Sequence, residues 1–396
     1  MSLGAGRLAL VGALFISAAI LLWYNLLDLS YTVFNTTQYT FIPKNDMIYI
    51  LIWTTKNQPP LDALMSENKA FEKCPHKNCF VTNNRNYFDS ITNFSALIFN
   101  ERELASMKPA DLPKERSPEQ IYIFGATESS HYYPLCGKYF EGMFNWTYTY
   151  KIDSDLRWGY ITIYDMNGTV VGPRIDMKWT SPMKPVDEAL KLKLKTKSKA
   201  AAWFVSNCKS LSGREKYVKQ LQNYTRQYGL TVDIYGPCGT LRCPKNQKDV
   251  CFRKIEKDYY FYLAFENSFA EDYVTEKLLN ALNHDAVPIV FGGANYSSVL
   301  VRFLPPGSFL DARAQPPAAL AATMRDLIAD RARYVRHFAW RSHYRYRETT
   351  YGADVCRVCA ALGAQRATGG RRRVVRGLRR WFNGEHGNRC RHDDYS

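Results

Sequence analysis

Lys277 carries a positive charge in the first turn of an expected helix, where the helix dipole favours the opposite sign. The helix shows itself through Val274, Leu278, Ala281 and Leu282, which share one face. Asp272 or Thr275 suits its cap, and Glu276 complements its positive end. A cation at that place points to an anion nearby: free N–H groups at a helix start, with a lysine beside them, make a phosphate site at the carboxyl end of a strand. By local physics alone, a solvated surface lysine is the commoner outcome. Other reactive groups are less telling. Glu128 follows a strand-like run, where a lone carboxylate is ordinarily a surface group. His131, His284, His337 and His343 show no metal-ligand spacing among themselves.

These groups need elements to position them. Residues 260–264 and 286–291 are short, apolar and rich in aromatic, aliphatic or β-branched side chains, so 260–293 reads as strand, loop, helix, strand, a βαβ unit. Residues 201–207 (AAWFVSN), 213–228 and 231–235 repeat that logic as strand, helix and strand. Tyr217, Leu221, Tyr224 and Tyr228 keep helical spacing there, and Gly229 stops the helix. A Rossmann-type sheet is therefore expected in a second domain over 185–350. Residues 318–336 read as one further helix of that domain, and 351–396 as a Cys/Arg-rich C-terminal tail. Strand candidates at 47–54, 95–99, 121–125 and 160–164 define a first domain over 47–184. Residues 182–199, with two Pro and a run of Lys, suit a linker or an exposed amphipathic helix equally.

A chain of 396 residues that is 46% hydrophobic can bury one large core or two ordinary ones, two being the expectation, and is not disordered. Its formal net charge of +16 is uneven, because residues 331–396 hold 16 Arg against 5 acidic residues. The run RRRVVRGLRR at 371–380 lacks the aromatic platform or module of a nucleic-acid binder and reads as a solvated face, so no nucleic-acid partner is expected. Residues 8–27 are uncharged and apolar over about the length that crosses a bilayer. They are expected to be a membrane anchor, with 1–7 a cytosolic tail and 28–46 a short stem on the other side. Six sequons, at Asn35, Asn93, Asn145, Asn167, Asn223 and Asn295, and ten cysteines agree with a secretory, disulfide-forming compartment. Cysteines come in close pairs, Cys74 with Cys79, Cys238 with Cys243 and Cys356 with Cys359. Most are expected to be bridged, Cys356 and Cys359 in a C-terminal cluster, with the connectivity left open by sequence.

Residues 261–277, FYLAFENSFAEDYVTEK, resemble the donor-binding signature of the α1,3-fucosyltransferases, glycosyltransferase family 10, which take fucose from GDP-fucose. WFVSNC at 203–208, DIYGPCGTLRCP at 233–244 and CRVCAA at 356–361 are similar to the invertebrate and plant branch that fucosylates the N-glycan core. The resemblance implies an α/β fold of the GT-B type, two Rossmann-like domains facing a cleft, here preceded by one N-terminal transmembrane helix. It further implies GDP-fucose on the C-terminal domain, acceptor on the N-terminal one, and inversion at the anomeric carbon. No cofactor is required in the family, a divalent metal being at most stimulatory. Asn267, Tyr273, Glu276 and Lys277 fall on the donor motif, and Tyr262 lies in the same string. Arg214 matches the family's phosphate-binding Arg, soon after Ser206 and Asn207 of the VSN string. Glu128, in ATESSHYY, stands where the family has its general base in an E-S-P-like string, with Ser130 in place of the Pro. TYKIDSD at 149–155 resembles a T-Y-R-R-D-S-D string with both Arg lost.

Fucosyl transfer expels GDP while positive charge grows on the sugar ring, so the site needs cations for the diphosphate and a carboxylate for the attacking hydroxyl. The expected product is fucose in α1,3 linkage on the innermost, Asn-linked GlcNAc of N-glycans. Antennal GlcNAc, giving Lewis-type or LacdiNAc products, is the alternative. GDP-fucose, an N-glycan and the Golgi membrane, crossed once in type II orientation, are the expected partners. Two rival classes remain: a Golgi lectin, which needs no base, and a metal-dependent GT-A transferase, for which Asp153-Ser154-Asp155 supplies a D-x-D string in the first rather than the donor domain.

Overall fold

Apolar runs such as IYIFGA (Ile121–Ala126) and YYFYLAF (Tyr259–Phe265) are buried at every residue, the pattern of parallel strands covered on both faces. The computed structural model describes residues 46–54, 61–65, 69–296, 301–349, 351–369 and 373–390. Within the unit Ile48–Ser396, β1 (Ile48–Ile52), β2 (Cys79–Thr82), β3 (Ala96–Asn100), β4 (Ile121–Ala126), β5 (Trp146–Thr149) and β6 (Leu156–Arg157) form a parallel sheet in the order β2-β1-β3-β4-β5-β6. A hairpin of β7 (Ile161–Asp165) and β8 (Val170–Gly172) and a helix α1 (Glu188–Leu194) lead to the second lobe. There β9 (Lys199–Phe204), α2 (Arg214–Arg226), β10 (Val232–Tyr235), α3 (Lys248–Asp258), β11 (Tyr259–Phe265), α4 (Glu276–Leu282), β12 (Val287–Phe291) and β13 (Leu310–Asp311) follow in turn. Their parallel sheet runs β10-β9-β11-β12-β13.

Both sheets reverse their winding next to the first strand, at β1/β3 and at β9/β11. Loops leaving the carboxyl ends of strands on either side of such a reversal diverge and leave a crevice, where open α/β sheets bind ligands. In the second lobe those loops are 205–213 and 266–275, which hold the VSN string and most of the donor-motif string.

After α5 (Pro317–Ala329) and α6 (Arg331–Arg336), β14 (Tyr344–Glu348) pairs antiparallel with β7. The single helix expected over 318–336 is two, because Asp330 leaves helical geometry and its carboxylate caps the second through the Arg333 N–H at 2.9 Å. The segment expected as a tail is helical and returns to the first lobe. Val355, Val358, Cys359 and Leu362 of α7 (Tyr351–Thr368) join a core with Ile48, Ile50, Leu61 and Phe71. Val375, Leu378 and Phe382, the last two on α8 (Leu378–Asn383), pack on the opposite face of the same sheet.

All ten cysteines are bridged: Cys74–Cys356, Cys79–Cys359, Cys136–Cys390, Cys208–Cys238 and Cys243–Cys251. The close pairs do not bridge internally; Cys74 and Cys79 reach across to the C-terminal cluster instead.

The membrane-spanning helix of the expected fold, and the anchored, single-pass Golgi placement built on it, are corrected here. Among the described residues no helix is long and apolar enough to cross a membrane, and residues 8–27 lie outside the described residues. The architecture is a two-lobed α/β fold with parallel sheets and no spanning helix among the described residues.

Two bridges joining residues some 280 apart close very long loops and restrict the unfolded chain accordingly. Peptide mapping without reduction is expected to recover the Cys356–Cys359 peptide linked to both Cys74 and Cys79. Recovery of Cys356 joined to Cys359 would contradict the topology.

Candidate active site

The loop after β11 is shaped from within. Glu266, buried at the strand end, accepts hydrogen bonds at Oε1 from the Thr275 N–H at 2.8 Å and the Thr275 hydroxyl at 2.9 Å, and its Oε2 lies 3.0 Å from Lys277 Nζ. Burial pushes the Glu266 carboxyl up, and Lys277 opposes that shift. For Lys277 burial works downward, but Glu266 and Glu276 outweigh it and hold the ammonium above its ordinary value. Nζ also donates to Thr275 Oγ1 at 2.6 Å and to Glu276 at 3.3 Å.

With its ends clasped, the loop arches away from its own sheet. Gly293, two residues past β12, has no Cβ that would strike the Ala270 backbone, so the arch passes close over it. Asp272 turns the arch with φ 60°, a left-handed conformation that Asp tolerates better than most residues. Its carboxylate holds that turn, accepting from the Ile152 N–H at 3.2 Å and from Arg302 at 3.2 Å. Ala270 and Tyr273 at the crest are buried in the first lobe's core with Phe124, Tyr150 and Phe382.

Opposite stands the segment after β4. The Glu101 carboxylate receives the N–H groups of Thr127 at 3.3 Å and Glu128 at 2.9 Å. Glu128 Oε1 accepts from the Tyr273 hydroxyl at 2.5 Å and from the Ser129 N–H at 3.1 Å, while Oε2 lies 3.7 Å from Arg102. Further bonds join the two segments, Ser129 with Ser268 through their hydroxyls and the Phe269 N–H to His131 Nδ1 at 3.2 Å, and Lys151, just after β5, adds a contact with Glu271 at 2.7 Å. Burial, then the charges of His386 and Arg389, push His131 down to about 4, so it stays a neutral acceptor. A polar cavity of about 570 Å³ opens beside the arch, lined among others by Ser130, Lys151, Gly293, Arg313 and His386.

The structure thus brings Glu128, Asn267, Tyr273, Glu276 and Lys277 to one junction, with Asn207 at its rim donating to the Tyr132 hydroxyl at 3.4 Å. Asn267 is half-buried and receives the Ser268 hydroxyl at 3.1 Å; Ser206 is exposed on the loop that the Cys208–Cys238 bridge ties down. Two further expected donor residues lie close enough to Lys277 to share its electrostatics but are internal. Tyr262 is a core residue of β11 whose hydroxyl takes a bond from Asn280 at 3.3 Å. Arg214 is buried and donates to the carbonyls of Phe265 at 2.6 Å and Asn207 at 3.2 Å. It ties the two crevice loops together rather than presenting a two-pronged face to solvent.

Asp155 accepts from Thr147 and pairs with Arg373 at 3.1 Å, and Asp153 accepts from the Trp381 indole at 2.7 Å. These carboxylates fasten the C-terminal segment. No group of three or more His, Cys, Asp or Glu is arranged to hold a metal ion among the described residues. Sequence reasoning missed Glu266 and Glu101, since a carboxylate that binds N–H groups nine or more residues away has no local signature.

Models of the family "Fucosyltransferase, N-terminal" and "Glycosyltransferase family 10 (fucosyltransferase) C-term" match residues 45–161 and 194–381. The 4-galactosyl-N-acetylglucosaminide 3-alpha-L-fucosyltransferase FUT6 of Homo sapiens is 32% identical over 350 residues, 87% of this chain and 85% of that protein. The chain belongs to glycosyltransferase family 10, the fucosyltransferases. Alpha-(1,3)-fucosyltransferase C of Drosophila melanogaster is 40% identical over 293 residues, 73% of this chain. Glycoprotein 3-alpha-L-fucosyltransferase A of the same organism is 31% identical over 300 residues, again 73% of this chain. The family 10 chain spans 65% and 52% of the lengths of those two relatives.

Among the sequons, Asn93, Asn167, Asn223 and Asn295 are exposed and Asn35 lies outside the described residues. Asn145 is buried, its carbonyl taking the Tyr122 N–H at 2.8 Å and its amide donating to the Arg373 carbonyl at 3.0 Å. Glycopeptide mapping of protein from a glycosylating host is expected to find sugar at exposed sites and none at Asn145.

Burial pushes the Glu101 carboxyl from 4.5 up to about 8. Between those values the folded protein keeps a proton that the unfolded chain has released, so this group's stabilising contribution is full below 4.5 and is lost as pH rises through about 8. Glu101→Gln keeps an oxygen for both N–H groups and does not ionise. Its melting temperature relative to the parent is therefore expected to rise between about pH 5 and pH 8; a difference that stays flat across that range would contradict the assignment.

Proposed function

We propose that the protein is an inverting, GDP-fucose-dependent fucosyltransferase acting on GlcNAc acceptors. The observation that carries this reading is the meeting of Glu128, from one lobe, with the arch of the donor-motif string from the other. In the proposed reaction the acceptor hydroxyl oxygen attacks the anomeric carbon of fucose and its proton passes to Glu128 Oε2. The bond from that carbon to the diphosphate breaks, and its electrons leave with GDP. Lys277 faces the diphosphate; of its carboxylate partners Glu276 is the more exposed, so a phosphate oxygen replaces that contact most easily. The family implies no essential metal for this step, and the scheme routes nothing through one.

For the acceptor, the innermost GlcNAc expected from WFVSNC and DIYGPCGTLRCP gives way to antennal GlcNAc substituted at O4. What supports the change is coverage. Similarity to a protein named for 4-galactosyl-N-acetylglucosaminides extends over 85% of that protein, against 52% for the one named for glycoprotein.

Incubation of the full chain with GDP-fucose and a panel of N-glycans, followed by mass-spectrometric location of fucose, tests donor and acceptor together. Fucose only on the Asn-linked GlcNAc would overturn the acceptor, and no transfer would overturn the whole reading. A positioned base contributes about 10²- to 10⁴-fold, so Glu128→Gln is expected to lower kcat by that order while GDP still binds. Lys277→Ala is expected to weaken both donor binding and turnover, because its charge meets the diphosphate in ground and transition states alike.

A further inference from the structure

Glu101 stands where two strands part. The pairing of β3 with β4 runs as far as Asn100 and Gly125. Beyond it β3 turns into the short helix Glu101–Leu104, which Asn100 caps through the Arg102 N–H at 3.0 Å, so β3 no longer runs beside the chain leaving β4. The Glu101 side chain takes up the pairing that the ladder gives up. Its Oε1 accepts the Thr127 N–H at 3.3 Å and the Glu128 N–H at 2.9 Å.

The side chain that does this is enclosed, with 1% of the residue exposed. Arg102 Nε lies 3.9 Å from Oε1, and among the described residues Oε2 has no hydrogen-bond partner. An ionised carboxylate would leave that oxygen charged and bare in the interior, and burial keeps the group protonated up to about 8. Glu101 therefore grips the backbone without setting a second negative charge beside Glu128. The other grips on this segment fall on either side of Glu128: the Tyr160 hydroxyl donates to the Thr127 carbonyl at 2.7 Å, and the Ser130 N–H donates to the Tyr150 hydroxyl at 3.3 Å. The N–H of Glu128 itself goes to Glu101. Misplacing a reacting group by about 1 Å costs on the order of 10²-fold in rate, so a slack backbone at this point reaches the chemistry.

We propose that Glu101 is a positioning residue that acts through Glu128: by holding the N–H groups of Thr127 and Glu128 it fixes where the base stands relative to the acceptor hydroxyl, while itself touching neither substrate. The proposal rests on Glu128 being the base. Because Glu101 belongs to the end of β3 in the first lobe, it bears on turnover and not on the donor site of the second lobe.

A double-mutant cycle tests it, with Glu101→Met and Glu128→Gln made singly and together in the full chain and Glu101→Gln beside them. Met has a similar length and no oxygen for the two N–H groups, whereas Gln keeps one. Melting curves set a temperature at which every variant is folded, and GDP binding by calorimetry reads the donor site. Glu101→Met is expected to lower kcat about ten- to a hundred-fold with GDP affinity changed by less than about threefold, and Glu101→Gln to bring kcat back to within about threefold of the parent. In the Glu128→Gln background Glu101→Met is expected to alter kcat by less than about threefold, since two residues acting as one unit do not add. Should the Met variant fail to fold, Glu101→Asp, which draws the carboxyl back by one methylene, takes its place with the same expected outcomes. Unchanged kcat in the folded Met or Asp variant, a parallel fall in GDP affinity, or losses that multiply in the double variant would overturn the proposal while leaving Glu128 as base. Near-normal turnover of Glu128→Gln alone would overturn both.

Discussion

A single charged contact inside the second lobe governs the course of the rest: the buried Glu266 carboxylate, held by Thr275 and Lys277. It joins the end of β11 to the start of α4 and makes the residues between them an arch instead of a slack connection. A buried carboxylate of this kind is tolerated only with its partners in place, and breaking such a pair typically costs about 3–5 kcal/mol. The arch then does two things at once. Its crest supplies Ala270 and Tyr273 to the core of the other lobe, and its foot presents Lys277 at the crevice. The string that resembles a donor signature is therefore also an apolar contact between the lobes.

That double role bears on how the lobes move. A hinge that parted them would expose Tyr273 and Ala270, break the Asp272 contacts with Ile152 and Arg302, and release the Glu128 carboxylate. Apolar burial at the crest opposes such opening. The first lobe is in turn closed by the end of the chain, since α7 is bridged to it twice and the segment around α8 covers its other face. Residues 351–369 and 373–390 belong in space to the lobe that begins the fold.

Strongly shifted ionisable groups are not confined to the site, and their surroundings tell the roles apart. Asp354 is pushed up to about 6 by burial and is paired within α7 with Arg357 at 2.8 Å, whose guanidinium also donates to the Arg157 carbonyl of β6 at 3.4 Å and so fastens α7. Lys197, pushed down to about 7 by burial, donates to the carbonyls of Ile255, Glu256 and Tyr259 and so closes the C-terminal end of α3. Neither faces the crevice loops. Glu101 differs because the N–H groups it binds belong to Thr127 and Glu128 themselves. Perturbation marks a functional site only when the partners are the reacting groups or their supports.

By itself the sequence determined the alternation of strands and helices in the second lobe, the family, and which loop carries the donor-like string. Those features are written in short-range periodicity and in an ordered run of letters, both read without knowing what lies opposite. Only the tertiary structure decided that Arg214 and Tyr262 are internal, that Tyr273 meets Glu128, that a distant segment completes the first lobe, and that Asn145 is enclosed. Each of these depends on a partner tens to hundreds of residues away. Burial and hydrogen bonding are settled by whichever groups the folded chain brings within a few ångströms, and residue spacing along the sequence carries no record of that meeting.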